Sequence, residues 1–417
     1  MMYNFETEVT RDNLGNLKYE MTPEQIKRAG FTSFDAAEMD FPTFPGITER
    51  VAALARNGLF GYTIRTDEYD KAVCNWMKHV RNWDVPAEEL VTAQGTIFSV
   101  ASLIRLLTKP GERIISQPPV YYRYEQAATR LGRGTAHNRL IEKDGVYTMD
   151  FADLEKKMAD PLNKLLVICN PQNPVGRVWS KEELTEIGRL SSKYKVPVFS
   201  DEIFAEITFD GHETIPYASI EEGRTYAITC TSLGKAFSLT GLNHANVFIP
   251  DQKLRERFET QRQADHYGSI EPLAYAAVLG GYTKEGAAWL GEARSYIEEN
   301  RKLLQRAVQA GDIPGRLSPV EGTFVGWIFW DTLGVKEEEI PDFLENKAFF
   351  HAGAGVEYDT ECKRYSRINL SGTHRQLAWA IERLKTAAKG ENYDTGRSVR
   401  LPLYTGNDHS ENVRERL

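Results

Sequence analysis

The sequence is poor in cysteine. Its 417 residues include four, Cys74, Cys169, Cys230 and Cys362, and no two stand in a C-x-x-C pair. Such spacing argues against a zinc site or a disulfide frame and for separate thiols in a reducing compartment. A basic excess is also missing: 51 Lys and Arg face 59 Asp and Glu, a formal charge of −8, so little is on hand to displace counterions from nucleic acid or to seek an anionic membrane. No apolar run approaches the roughly 18 residues of a membrane span. The opening residues, Met1 to Glu8, lack the basic-then-apolar order of a signal peptide. The eight histidines form no H-E-x-x-H or comparable metal spacing, and there is neither an internal repeat nor a low-complexity tract. These exclusions leave a soluble cytoplasmic enzyme as the expectation.

What is present reads as globular, with 41% hydrophobic, 26% charged and 11% aromatic residues, in a chain long enough for a large domain and a smaller companion. Short apolar runs recur at 113–116, 165–169, 196–200, 225–229 and 246–249. Runs this brief and this continuous suit strands buried on both faces. Between the second and third, Ser180 and Glu183 form a capping box ahead of Leu184, Ile187 and Leu190, predicting a helix. Alternation of this kind predicts crossover units and a largely parallel sheet. A long helical pattern from about Trp289 to Gln309 is followed by strand-like 323–329 and 365–370, which predicts a smaller α+β domain. The expected division is an N-terminal arm over 1–48, a large domain over 49–288, a small domain over 289–389 and a polar tail over 390–417.

Several loops could carry chemistry. Asn170-Pro171-Gln172-Asn173-Pro174-Val175-Gly176 and Ser200-Asp201-Glu202 each end a predicted strand, where open α/β sheets place their ligands. Gln94-Gly95-Thr96 opens an apolar helix whose free N–H groups make an anion site, or else an ordinary turn capped by Thr96. Lys235 stands among small and hydroxyl residues in Thr231-Ser232-Leu233-Gly234-Lys235, which permit close approach of a phosphorylated ligand. Tyr121 and Tyr122 follow Pro118-Pro119-Val120 and could be core aromatics. Ala352-Gly353-Ala354-Gly355 mimics part of a dinucleotide fingerprint, but no further glycine or helix pattern follows.

Taken in order, these elements resemble the fold-type I pyridoxal-phosphate (PLP) enzymes. The separations fit: 28 residues from Asn173 to Asp201, 34 from Asp201 to Lys235 and 132 from Lys235 to Arg367. Ala37-Glu38-Met39-Asp40-Phe41, Phe60-Gly61-Tyr62-Thr63, Lys109-Pro110-Gly111-Glu112 and Gln117-Pro118-Pro119-Val120-Tyr121 narrow the resemblance. They look like the MalY/PatB cystathionine β-lyase (C–S lyase) branch of the class I/II aminotransferase superfamily, over roughly residues 30–388. The resemblance implies the α/β PLP-dependent transferase-like fold (aspartate aminotransferase fold type I): a three-layer α/β/α large domain with a mostly parallel sheet, plus a smaller α+β domain. It further implies a homodimer with shared active sites and a small amino-acid substrate.

By the same resemblance, Lys235 carries pyridoxal 5'-phosphate as a Schiff base and Asp201 pairs with the ring nitrogen. Asn173 bonds the ring 3-oxygen, Tyr121 stacks on the ring, and Gly95, Thr96 and Ser232 hold the phosphate. Tyr62 reaches the phosphate of the neighbouring subunit. Arg367 clamps the substrate carboxylate, with Asp40 also placed at the substrate. Two positions depart from the pattern. Asn243 stands eight residues after Lys235, where aminotransferases have Arg; this tilts the reading toward the lyase branch. Phe204 stands beside the cofactor site where aminotransferases have Tyr and C–S lyases commonly have His, and it can neither donate a hydrogen bond nor shuttle a proton. The expected reaction is α,β-elimination from cystathionine or another cysteine S-conjugate. Transamination and a non-catalytic regulatory role are the alternatives.

Overall fold

The structure, a computed structural model, describes residues 2–7, 9–11 and 14–391. The expected polar tail lies outside the described residues from position 392 onward.

Seven strands form the main sheet: β1 (Leu90–Ala93), β2 (Arg113–Ser116), β3 (Gly134–His137), β4 (Asn163–Cys169), β5 (Val198–Asp201), β6 (Ala227–Thr231) and β7 (Ala245–Phe248). Their spatial order is β1-β7-β6-β5-β4-β2-β3. The pairs β2–β3, β2–β4, β4–β5 and β5–β6 are parallel, while β7 runs against both of its neighbours. Side chains alternate across β4 and β5. Leu165, Val167 and Phe199 face one apolar cluster, shared with Val100 and Leu103 of α1 (Thr96–Leu107) and with Tyr124 of α2 (Arg123–Arg130). Leu166, Ile168 and Val198 face another, shared with Leu184, Ile187 and Leu190 of α3 (Lys181–Tyr194). Both faces of the sheet are therefore dry, giving three layers, and each fully buried aliphatic side chain contributes about 1.5–3 kcal/mol of transfer free energy. The capping box of α3 forms as the sequence predicts, with Ser180 accepting from the Glu183 N–H and the Glu183 carboxylate accepting from the Ser180 N–H.

A second sheet, ordered β8-β9-β11-β10, comprises β8 (Arg316–Leu317), β9 (Val325–Phe329), β10 (Gly353–Ala354) and β11 (Tyr365–Asn369) and is antiparallel throughout. It follows the 26-residue helix α4 (Lys284–Gln309), which begins five residues before the predicted start because Thr283 caps it.

Three sequence expectations need correcting. The strand expected at 225–229 is displaced to Ala227–Thr231, because Glu221–Tyr226 coils into a 3-10 helix and pairing with β5 starts at Ala227. Gly95, not Thr96, is the N-cap of α1, with φ +97°, a left-handed angle that favours glycine. β1 and β3 have no counterpart among the predicted strands.

Candidate active site

The carboxyl ends of β4, β5 and β6 open onto a cleft of about 880 Å³ whose far wall comes from β11 and from the N-terminal segment 33–38. Gly95, Thr96, Tyr121, Asn173, Asp201, Phe204, Ser232, Lys235 and Arg367 all line this one cavity. Nine of the eleven residues singled out from sequence thus converge.

Lys235 sits on the single helical turn Leu233–Ala236 that follows β6. Its Nζ donates to the Ala37 carbonyl at 2.7 Å and lies 5.5 Å from the centre of the Phe204 ring. Burial, with help from the Arg367 charge, pulls the amine down to about 8 from the usual 10.5. A sizeable fraction is therefore neutral near physiological pH, as a nucleophile or base requires. Asp201 ends β5 and is 2% exposed. Burial pushes its carboxyl up to about 6, against the opposing pull of hydrogen bonds from Tyr124 and the Ile203 N–H.

Asn173 and Arg367 meet across the cleft, with Arg367 Nη1 donating to Asn173 Oδ1 at 3.3 Å. The other terminal nitrogen of Arg367 donates to the Asp35 carbonyl at 2.6 Å, and the guanidinium lies over the Tyr358 ring. Its Nε is buried without a partner. At the opposite end, α1 has no capping side chain, so nothing of that kind claims the first N–H groups beside Gly95 and Thr96. Ser232 is more committed than the sequence suggests. Its hydroxyl accepts from the Gly234 N–H at 3.0 Å and donates its only proton to the His244 carbonyl at 2.7 Å, so it must turn away from that carbonyl to donate to a phosphate.

Two singled-out residues lie elsewhere. Asp40 does not line the cleft: its carboxylate is taken up by the fully buried Lys18, at 2.7 Å, and by Arg11, at 2.6 Å. That ion-pair cluster sets Asp40 behind the cleft wall, where its partner Lys18 and its neighbour Glu38 do line the cavity. Tyr62 does not line the cleft of its own chain either, and its ring is fully exposed. Sequence reasoning in turn missed Tyr124, whose hydroxyl donates to Asp201 Oδ2, and the cleft residues His351, Glu357 and Tyr358. Tyr124 could have been found, since it stands three residues after Tyr121 and so on the same face of one turn.

A half-buried lysine with a lowered pKa and a buried carboxylate with no cationic partner within 4 Å among the described residues, together with an uncapped helix start, fit a phosphorylated pyridine aldehyde: amine for aldehyde, carboxylate for ring nitrogen, N–H groups for phosphate. Fold and site together define an enzyme of the fold-type I aminotransferase class. A profile described as Aminotransferase class I and II matches residues 30–384, and the chain belongs to that family. Cystathionine beta-lyase PatB of Bacillus subtilis is 30% identical over 386 residues, covering 92% of this chain and 99% of PatB. Among solved structures, cystalysin of Treponema denticola, which contains pyridoxal 5'-phosphate, superposes with a TM-score of 0.89 at 32% identity, covering 94% of this chain and all of cystalysin. A PLP-bound C–S lyase of Staphylococcus hominis superposes with a TM-score of 0.85 at 26% identity, over 94% of this chain and all of that one.

Proposed function

We propose that this chain is a PLP-dependent carbon–sulfur β-lyase that cleaves cystathionine or a related cysteine S-conjugate. The observation that carries the reading is the presence of Lys235, Asp201 and Arg367 in one cleft, with Asp201 and Arg367 buried and Lys235 half-buried. Similarity to PatB and to the two solved lyases supports the choice of reaction. The bound cofactor supplies an electrophilic carbon for the substrate amine and a ring that takes up the electron pair left when Cα loses its proton.

The rest falls to the protein. Arg367 receives the substrate carboxylate on its fork and so orients the Cα–H bond. Lys235 would hold the cofactor's aldehyde carbon and would take the Cα proton on Nζ, a role for which its lowered pKa equips it near neutral pH. Asp201 would hold the proton of the ring nitrogen, Asn173 would bond the ring 3-oxygen, and Tyr121 would cover the ring. Gly95 and Thr96 would hold the phosphate. Phe204 leaves the 3-oxygen side without a hydroxyl donor and presents its ring to the Lys235 amine. With cystathionine and water, the products are homocysteine, pyruvate and ammonia.

The working form is a homodimer in which Tyr62 completes the partner's phosphate site. The exposed run Leu59, Phe60, Tyr62 and Ile64 supports this, since so much apolar surface on one loop marks an interface. The chain divides into an arm over 1–48, a cofactor domain over 49–288 and a small domain over 289–389. Four free cysteines, three of them buried, fit a cytoplasmic setting. The test is direct. Purified enzyme given L-cystathionine and no keto acid releases pyruvate, and Lys235→Ala does not. Turnover only on addition of a keto acid would overturn the lyase reading in favour of transamination.

A further inference from the structure

The Asp201 carboxylate has few partners for a group so deeply buried. Oδ1 accepts the Ile203 N–H at 3.2 Å, and Oδ2 accepts the hydroxyl of Tyr124 on α2. Among the described residues no lysine, arginine or histidine reaches ion-pairing distance of it; Lys235 acts on it only through space. In register beside it stand Cys169 on β4 and Cys230 on β6, whose thiols burial pushes up, so both neighbours are neutral. The adjacent Glu202 is spoken for by Arg81 at 2.8 Å. Tyr124 is therefore the one side chain among the described residues that donates to Asp201. Its own phenol is held well above the ordinary range by burial and by the Asp201 charge, so it stays a donor at every working pH.

We propose that Tyr124 is a positioning residue for the reaction: its hydroxyl fixes the Asp201 carboxylate and makes it the weaker base of the pair formed with the cofactor's ring nitrogen, so that the proton resides on the ring. The proposal rests on the reading of Asp201 given above. A hydrogen bond donated to an ionised carboxylate favours the ionised form, whereas burial opposes it. Burial already brings the Asp201 carboxyl up to about 6. Without Tyr124 it moves further up, the carboxyl keeps the proton, and the ring nitrogen is left neutral and less able to draw electrons from Cα. Tyr124 also meets Tyr121 edge-on, with ring centres 5.6 Å apart, so one short stretch of chain sets both the covering ring and the carboxylate.

The test compares holoenzymes loaded with cofactor labelled with nitrogen-15 in the ring, whose resonance reports protonation directly. In Tyr124→Phe the signal moves toward that of neutral pyridine, and kcat on L-cystathionine falls by about tenfold to a hundredfold with KM nearly unchanged. Replacement of Tyr124 by 3-fluorotyrosine, which keeps the donor, restores both. An unmoved nitrogen signal in Tyr124→Phe overturns the proposal even if the variant melts earlier, because a purely structural tyrosine lowers stability without moving that resonance. Asp201→Asn separates the two levels. If it shifts the signal and Tyr124→Phe does not, only the role of Tyr124 fails; if neither does, the reading of Asp201 fails and takes the proposal with it.

Discussion

Arg367 on β11 donates to the side-chain oxygen of Asn173, a residue 194 positions earlier in the loop after β4. The contact joins the small antiparallel sheet to the loop after β4 inside the cleft. It also leaves Arg367 Nε buried and unpartnered, available to an incoming anion.

Arg367→Lys is accordingly expected to lower kcat/KM for cystathionine by about a hundredfold or more, since a point charge replaces a preorganised fork and a buried charged contact of this kind is worth about 2–5 kcal/mol. Most of the loss should appear in KM. Steady-state kinetics decide the matter, and a change within about threefold removes Arg367 from the substrate.

Reconstitution of the apoenzyme should depend on pH in two ways. Lys235 reacts as the neutral amine, so with its pKa lowered to about 8 the rate of cofactor attachment rises as pH increases through about 8 and levels off above it. Asp201 is protonated below about 6, so affinity for the cofactor weakens as pH falls through that value. Stopped-flow absorbance of the lysine-bound cofactor gives the first and equilibrium titration the second. A rate that keeps rising up to the ordinary lysine range contradicts the burial of that amine.

Asp40→Ala should damage stability and spare the substrate. It leaves the fully buried Lys18 without its ion-pair partner, with only the Glu38 carboxylate, 3.6 Å from Arg11, still opposing the two cations, a defect costing about 3–5 kcal/mol. Burial already lowers the Lys18 pKa, so the unfolded chain binds more protons in the range between the folded and unfolded values and stability rises with pH there. The loss should thus shrink under alkaline conditions. Thermal melts across pH measure it, and a raised KM with an unchanged melt returns Asp40 to the substrate.

Mixing two inactive variants tests the shared site. When Tyr62 serves the partner, a hybrid of Tyr62→Ala and Lys235→Ala chains contains one intact site and activity reappears on mixing after dissociation. When Tyr62 serves its own chain, both sites of the hybrid stay defective. Pyruvate release from the mixture distinguishes the two.

Much of this architecture was legible because burial on both faces of a sheet leaves an unbroken apolar run. β2 and the cap of α3 fall where the sequence places them. Direction is another matter, because β7 reads like its parallel neighbours and nothing in Ala245–Phe248 announces that it runs backwards. β3, Gly134–His137, escaped notice as a partly exposed edge strand with no apolar run to mark it. At the site, loops spaced as in the family pointed to nine cleft residues. Asp40 differs from its motif neighbours, which reach the cleft, because its carboxylate turns to Lys18, a partner 22 positions earlier that no local pattern announces. The donor to Asp201, Tyr124, stands just beyond Tyr121 and Tyr122, two tyrosines that the sequence alone allows as core aromatics.

The stretch from Asp35 to Asp40 is a tether between the two sheets. The Asp35 carbonyl accepts from Arg367, the Ala36 and Glu38 carbonyls from Asn369, and the Ala37 carbonyl from Lys235, while the Met39 N–H reaches Ser238 and the Asp40 N–H reaches Ser371. Within six consecutive residues, therefore, Asp35 holds Arg367 and Ala37 holds Lys235. A chain begun after position 40 would keep the loops that carry Asn173, Asp201, Lys235 and Arg367 and still have lost the clasp that ties its two sheets together.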